Sequence, residues 1–154
     1  MGLLNQLMVP AFHYTRALLK TNIKTKTYGL ALTEADAARI VASTDETLKA
    51  LGRIELSSDL IPKIIISFAA SSYIDQDDYA QTVCQLLECF YGLRNEGFDE
   101  LSDDELIEIM RTAFDYQCHG VAELLLEEAR LALNRTTDRL GRGSDAITGS
   151  QRID

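Results

Sequence analysis

Cysteine and histidine are scarce in this sequence, three and two copies respectively, and the first 33 residues hold no acidic side chain at all. Each shortage narrows what the protein can be. Cys84, Cys89 and Cys118 are odd in number and fall at no Cys-x-x-Cys spacing, which argues against a disulfide framework and against a four-thiolate zinc site. His13 and His119 lie at opposite ends of the chain, so a metal centre built on both imidazoles would need a long return of the backbone. No apolar run approaches the ~20 residues that cross a bilayer, and the N-terminus lacks the charged, apolar and small-residue order of a secretory signal. The expectation is therefore a cytoplasmic protein. Glycine-rich phosphate loops, Gly-x-Ser-x-Gly, His-Glu-x-x-His and paired-carboxylate motifs are also missing, which leaves no catalytic signature to follow.

What is present is the composition of one globular domain. The chain has 154 residues, 46% hydrophobic and 25% charged, a length at which roughly two thirds of the unfolded surface becomes buried. Its net charge of -9 opposes binding to nucleic acid, whose affinity comes from Lys and Arg displacing counterions. The charge is uneven. Residues 1–33 carry Arg16, Lys20, Lys24 and Lys26, a balance of +4; the remainder carries 11 basic and 24 acidic residues, a balance of -13. Four positive charges are sparse for attachment to an anionic membrane, and the acidic remainder would be repelled from it.

Residues 1–32 show no sustained period and read as a basic, irregular N-terminal arm, within which the alternation of Tyr28, Leu30 and Leu32 allows a short strand. From 33 to 140 the pattern is helical. Thr33 and Asp36 form a start signal ahead of Ala37, Ile40, Val41 and Leu48, although Ser43 and Glu46 offer a second start that would split this element in two. The run KIIISFAASSY, opened by Ser58 or Asp59 with Pro62 in the first turn, is apolar on nearly every side and marks the expected central helix. Asp75 and Asp78 open a third helix carrying Tyr79, Val83, Leu86, Leu87 and Phe90. Ser102 and Glu105 cap a fourth carrying Leu106, Ile109, Met110, Ala113 and Phe114. A fifth buries Val121, Leu125, Ala129, Ala132 and Leu133. Residues 141–154, rich in Gly, Ser and Thr, read as a flexible tail. The fold class is all-α: one small bundle-like domain of about five helices.

The stretch AFDYQCHGVAELLLEE, residues 113–128, concentrates the chemistry. Laid on a calcium-loop template it offers Asp115 first, Gly120 at the turn and Glu123 ninth, but Leu126 occupies the twelfth place, where a bidentate Glu is needed. Asp115 and His119, at i and i+4, share a helical face and are the candidate catalytic pair, with Glu123 added for a metal and His13 as a distant fourth member. The competing account is a corner: Asp115 and His119 solvated opposite Leu106 and Met110, Gly120 left-handed, and Val121 packed back on Tyr116. That account covers more of the residues. Cys84 reads as a small core hydrophobe and Cys89, on the flank, as a candidate reactive thiol. The reading that results is an all-α protein-interaction or structural module without a cofactor, self-associating as a homodimer or serving as a subunit of a larger complex. Its rival is an enzyme or metal-dependent protein centred on Asp115 and His119.

Overall fold

The computed structural model describes residues 14–53, 59–98 and 100–136. It is all-α. Residues 14–20 form α1, Asn22–Thr25 α2, Glu34–Ala50 α3, Leu60–Ala69 α4, Tyr79–Asn95 α5 and Asp103–Tyr116 α6, and residues 125–136 form α7. The five expected helices are α3 to α7, and none of the described residues forms a strand.

Two of the expected capping signals form as capping boxes. Asp59 and Asp78 stand at the N-cap positions of α4 and α5 without a side-chain cap bond, Asp75 caps the 3-10 turn Gln76–Asp78 instead, and Ser58 lies outside the described residues. The Thr33 hydroxyl accepts from the Asp36 N–H while Asp36 accepts from the Thr33 N–H, and Ser102 and Glu105 do the same for α6, so two of the otherwise unpaired donors at the start of each helix are satisfied. The second start within α3 is not used. The Thr44 and Thr47 hydroxyls donate to the carbonyls of Ile40 and Ser43, and the helix runs through. At α4, Pro62 sits in the first turn, where its missing N–H leaves no intrahelical bond unmade.

The centre of the molecule is α5 rather than α4. Helix α5 packs against α3, α4, α6 and the short 3-10 turn Ala122–Leu124, and it buries most of its circumference, from Tyr79 and Val83 to Phe90 and Leu93, leaving only a narrow stripe through Gln81 and Glu88 open. Helix α4 buries Leu60, Ile61, Ile64, Ile65 and Phe68 against α5 and α6 but leaves Ile66 partly open. Its all-apolar pattern overstates its centrality because it ends at Ala69, and Ser71, Ser72 and Tyr73 leave the helix.

The N-terminal arm differs most from the expectation. Its described part is helical and packed, not irregular: Leu18, Thr21 and Thr25 lie one above another on the buried face of α1 and α2. The two threonines are satisfied locally, with hydroxyls donating to the carbonyls of Leu18 at 2.6 Å and Leu30 at 2.9 Å. The alternation after Tyr28 is real in that Leu30 and Leu32 are buried and Ala31 is exposed. The segment nevertheless has no partner strand among the described residues. Side-chain amides take that role: Asn22 donates to the Leu32 carbonyl and accepts from its N–H, at 2.9 and 2.8 Å, and Gln76 does the same for Ala31 at 3.0 and 2.8 Å. With Thr25 bonded to both backbone groups of Leu30, all six polar backbone groups of residues 30–32 are paired, as a half-buried extended segment requires.

At the other end Arg130 of α7 grips Glu96 with two parallel bonds, Nε to Oε1 at 2.7 Å and Nη2 to Oε2 at 2.6 Å, and reaches Glu127 as well. These bonds hold the Glu96 carboxyl below the ordinary glutamate range, outweighing the opposing effect of its slight burial. A carboxylate with a depressed folded pKa contributes stability above its unfolded value, and that contribution disappears as pH falls through the folded value. The melting-temperature difference between wild type and Glu96→Gln should therefore be present near neutral pH and shrink once pH drops below about 4.3, the ordinary glutamate value. A difference that does not change with pH would remove the Arg130 clasp as its cause.

The burial contrast within α4 gives a second test. Ile65 is 1% exposed and Ile66 is 38% exposed. Ile65→Ala should cost about 2 to 5 kcal/mol in a denaturant melt, from lost burial and the cavity left behind. Ile66→Ala should cost under about 1 kcal/mol because much of that side chain is already in water.

Candidate functional site at the corner of α6 and α7

The stretch singled out in the sequence folds as a corner, and its side chains separate. Helix α6 ends at Tyr116; His119 and Gly120 then both take left-handed conformations, with φ of 50° and 82°. The Gly120 N–H reaches back to the Phe114 carbonyl at 2.9 Å, and the Val121 N–H to that of Cys118 at 3.0 Å. Tyr73, from the turn after α4, lies directly on Gly120: a Cβ there would stand 2.4 Å from the Tyr73 Cβ. The tyrosine ring meets Phe114 edge-on at 6.5 Å and His119 at 6.4 Å. Glycine is thus required twice, by its backbone angle and by this close approach.

Asp115 is only partly exposed, and it is fully engaged. Its Oδ1 accepts from the buried Ser71 hydroxyl at 2.6 Å, and its Oδ2 from Arg111 Nε at 2.8 Å. Arg111 in turn donates to the Ser67 carbonyl near the end of α4, and the Tyr73 N–H donates to the Ser71 Oγ. The carboxylate therefore ties α6 to the turn after α4. His119 is exposed beside Tyr73, because the helix has already ended and the i, i+4 face assumed for the pair no longer applies. Glu123 accepts from Gln85 on α5 at 3.3 Å. The candidates Asp115, His119 and Glu123 thus have three different sets of neighbours, and His13 lies outside the described residues. Among the described residues no group of three or more His, Cys, Asp or Glu side chains is placed to hold a metal ion. A cleft of about 310 Å³ opens between α6 and α7, lined by Glu108, Thr112, Gln117 and Arg135, and neither Asp115 nor His119 faces it.

All three thiols are free and buried. Burial pushes the Cys89 thiol up to about 12, with Cys118 and Glu96 nearby adding to the effect, and it raises Cys84 and Cys118 as well. Cys89 is therefore not the flank thiol its wheel position suggested. A group held so far toward its neutral form is a poor nucleophile.

Ser71, Arg111 and Tyr73 are the residues of this corner that the sequence pattern did not indicate. Ser71 and Tyr73 fall within the run KIIISFAASSY, whose pattern implies helix throughout. Val121 and Tyr116, expected to pack on each other, are instead both open to solvent, Tyr116 at 72%. With Tyr73, with Leu124 at the end of the 3-10 turn and with Leu131 of α7 they make up a set of large apolar side chains left open.

Residues 17–141, from within α1 to beyond α7, match a family of unknown function designated DUF6323. The chain belongs to that family. No curated protein and no solved structure matches it. For this DUF6323 member, the site has to be argued from its own geometry. Among its described residues no helix is long and apolar enough to cross a membrane.

Gly120→Ala should cost about 2 kcal/mol or more, combining the left-handed backbone with overpacking against Tyr73. His119→Gly should lie between no change and a gain of about 1 kcal/mol, since the left-handed region then carries no Cβ penalty. Denaturant melts of both variants decide the matter. A clear loss on His119→Gly would show that the imidazole has a structural partner.

Proposed function

We propose that this DUF6323 member is a small cytosolic protein-interaction module without catalytic chemistry of its own, and that its contact surface is the outer side of the α6–α7 corner, where it meets a second copy. The observation that carries the reading is the set of uncovered large apolar side chains in consecutive structure: Tyr116 at the end of α6, Val121 after the corner, and Leu124 and Leu131 seven positions apart, 50% and 40% exposed. Aromatic and aliphatic side chains grouped in this way favour association over solvation.

The order of charges along the same segment supports a second copy as the occupant. Glu123, Glu127 and Glu128 come first, and Arg135 and Arg130 follow, the latter already clasped to Glu96 and Glu127 of its own chain. Two such helices laid antiparallel about a two-fold axis set the acidic half of each beside the basic half of the other, the self-complementarity an isologous interface needs. Asp115 is occupied in tying α6 to the turn after α4, and the buried thiols are held neutral, so the nearby polar groups offer the rival catalytic reading little support.

Light scattering tests the proposal. The wild-type chain should give a mass above the 17.1 kDa of one copy. Leu124→Glu and Leu131→Glu should each weaken association by at least about tenfold with an unchanged melting temperature, because both side chains are already half open. Wild-type protein that stays at the mass of one chain at the highest soluble concentration would end this reading.

A further inference from the structure

The opposite chemistry occupies the outer face of α1 and α2. Arg16, Lys20, Lys24 and Lys26 are all exposed, and none of their side chains makes an ion pair or hydrogen bond among the described residues, whereas Lys49, Lys63, Arg94, Arg111 and Arg130 each pair with an acid. Ile23, 69% exposed, stands between Lys20 and Lys24 in the chain, and Tyr28, 55% exposed, follows Lys26. Thr21, at the junction of the two helices, keeps right-handed helical angles, φ -64° and ψ -22°. Arg16, Lys20 and Lys24 therefore recur once per turn over about 12 Å at 1.5 Å per residue. The other side of the same helices is the buried line of Leu18, Thr21 and Thr25. The face is rigidly held, amphipathic and cationic, on a chain whose remainder carries -13.

We infer that this face docks an acidic helical segment of another protein, carboxylates once per turn meeting Arg16, Lys20 and Lys24, and an aliphatic side chain settling between Ile23 and Tyr28. The surroundings select the kind of partner. Gln76 is bonded to Ala31, three residues after Tyr28, which brings the exposed acids Asp75, Asp77 and Asp78 to the edge of the face, and Glu34 opens α3 just beyond Leu32. A flat anionic membrane or a nucleic-acid backbone would lie over those acids and be repelled by them. A helix two or three turns long meets the cations and stops short of the border. The exposed Ile23 adds apolar contact, which a purely electrostatic interface would not need.

The test uses the full chain and a synthetic helical peptide with glutamate once per turn along one face and a leucine beside it. A matched peptide with glutamine in place of glutamate, phosphatidylserine vesicles and a single-stranded oligonucleotide complete the set. The glutamate peptide should bind the wild type with an affinity that falls as salt rises, and the glutamine peptide should bind far more weakly. A Lys20→Glu/Lys24→Glu double variant should weaken the glutamate peptide by at least about tenfold, and Ile23→Ser by several-fold, both with unchanged melting temperature because the positions are exposed. Absence of binding to the glutamate peptide, or binding indifferent to the double charge reversal, overturns the inference. Tighter binding to vesicles or oligonucleotide, lost in the same variant, overturns it too and assigns the face to a polyanion. None of these outcomes depends on self-association through α7, because the two surfaces are altered by different substitutions.

Discussion

Everything else in this fold is arranged around the burial of α5. A helix that buries Tyr79, Val83, Leu86, Leu87, Phe90 and Leu93 on several sides needs neighbours on each of them, and the chain supplies α3, α4, α6 and the turn that leads into α7. Those neighbours can be amphipathic because α5 presents each of them with an apolar wall. The polar ties then fall between the neighbours rather than in the core: Asn22 and Gln76 around residues 30–32, Asp115 between α6 and the turn after α4, and Arg130 between α7 and the end of α5. Each tie holds a place where the backbone leaves a helix. The apolar wall supplies adhesion, and the ties decide which turn of which helix it acts on.

Where local grammar and period agreed, the helices were legible in the sequence. The two capping boxes and the stripes behind them mark α3 and α6 because a cap and a 3.6-residue period are set within a few residues. Helices α1 and α2 were not legible. Their buried face is made partly of Thr21 and Thr25, whose hydroxyls bond the chain's own carbonyls, so a face that looks polar in the sequence is satisfied in the core. The alternation at Leu30 and Leu32 allows a strand, and none forms there. What pairs with it are the side chains of Asn22 and Gln76, and no periodicity reports a side chain acting in place of a backbone.

The corner was legible in outline, with Gly120 where the chain turns. Its detail was not. Continuing the α6 wheel past Tyr116 placed Asp115 and His119 on one solvated face, whereas the helix ends first and the two residues part. The contact that fixes the corner, Tyr73 lying on Gly120, joins positions far apart in the chain, and single-sequence patterns carry no such information. For the same reason the flank position of Cys89 suggested exposure, when α6, α7 and the corner between them close over that side of α5.

The complete pairing of residues 30–32 bears on how this protein behaves in a crowded solution. An extended segment whose N–H and C=O groups point outward unpaired is a template on which another chain can add a strand, the usual first step toward misassembly. Here both backbone groups of Leu30, Ala31 and Leu32 are occupied by the protein's own Thr25, Gln76 and Asn22. The one stretch of the described chain with strand-like alternation is thereby closed to strangers. Among the described residues, association is left to the surfaces of the helices, where register is set by side chains and a wrong partner finds no ladder to extend.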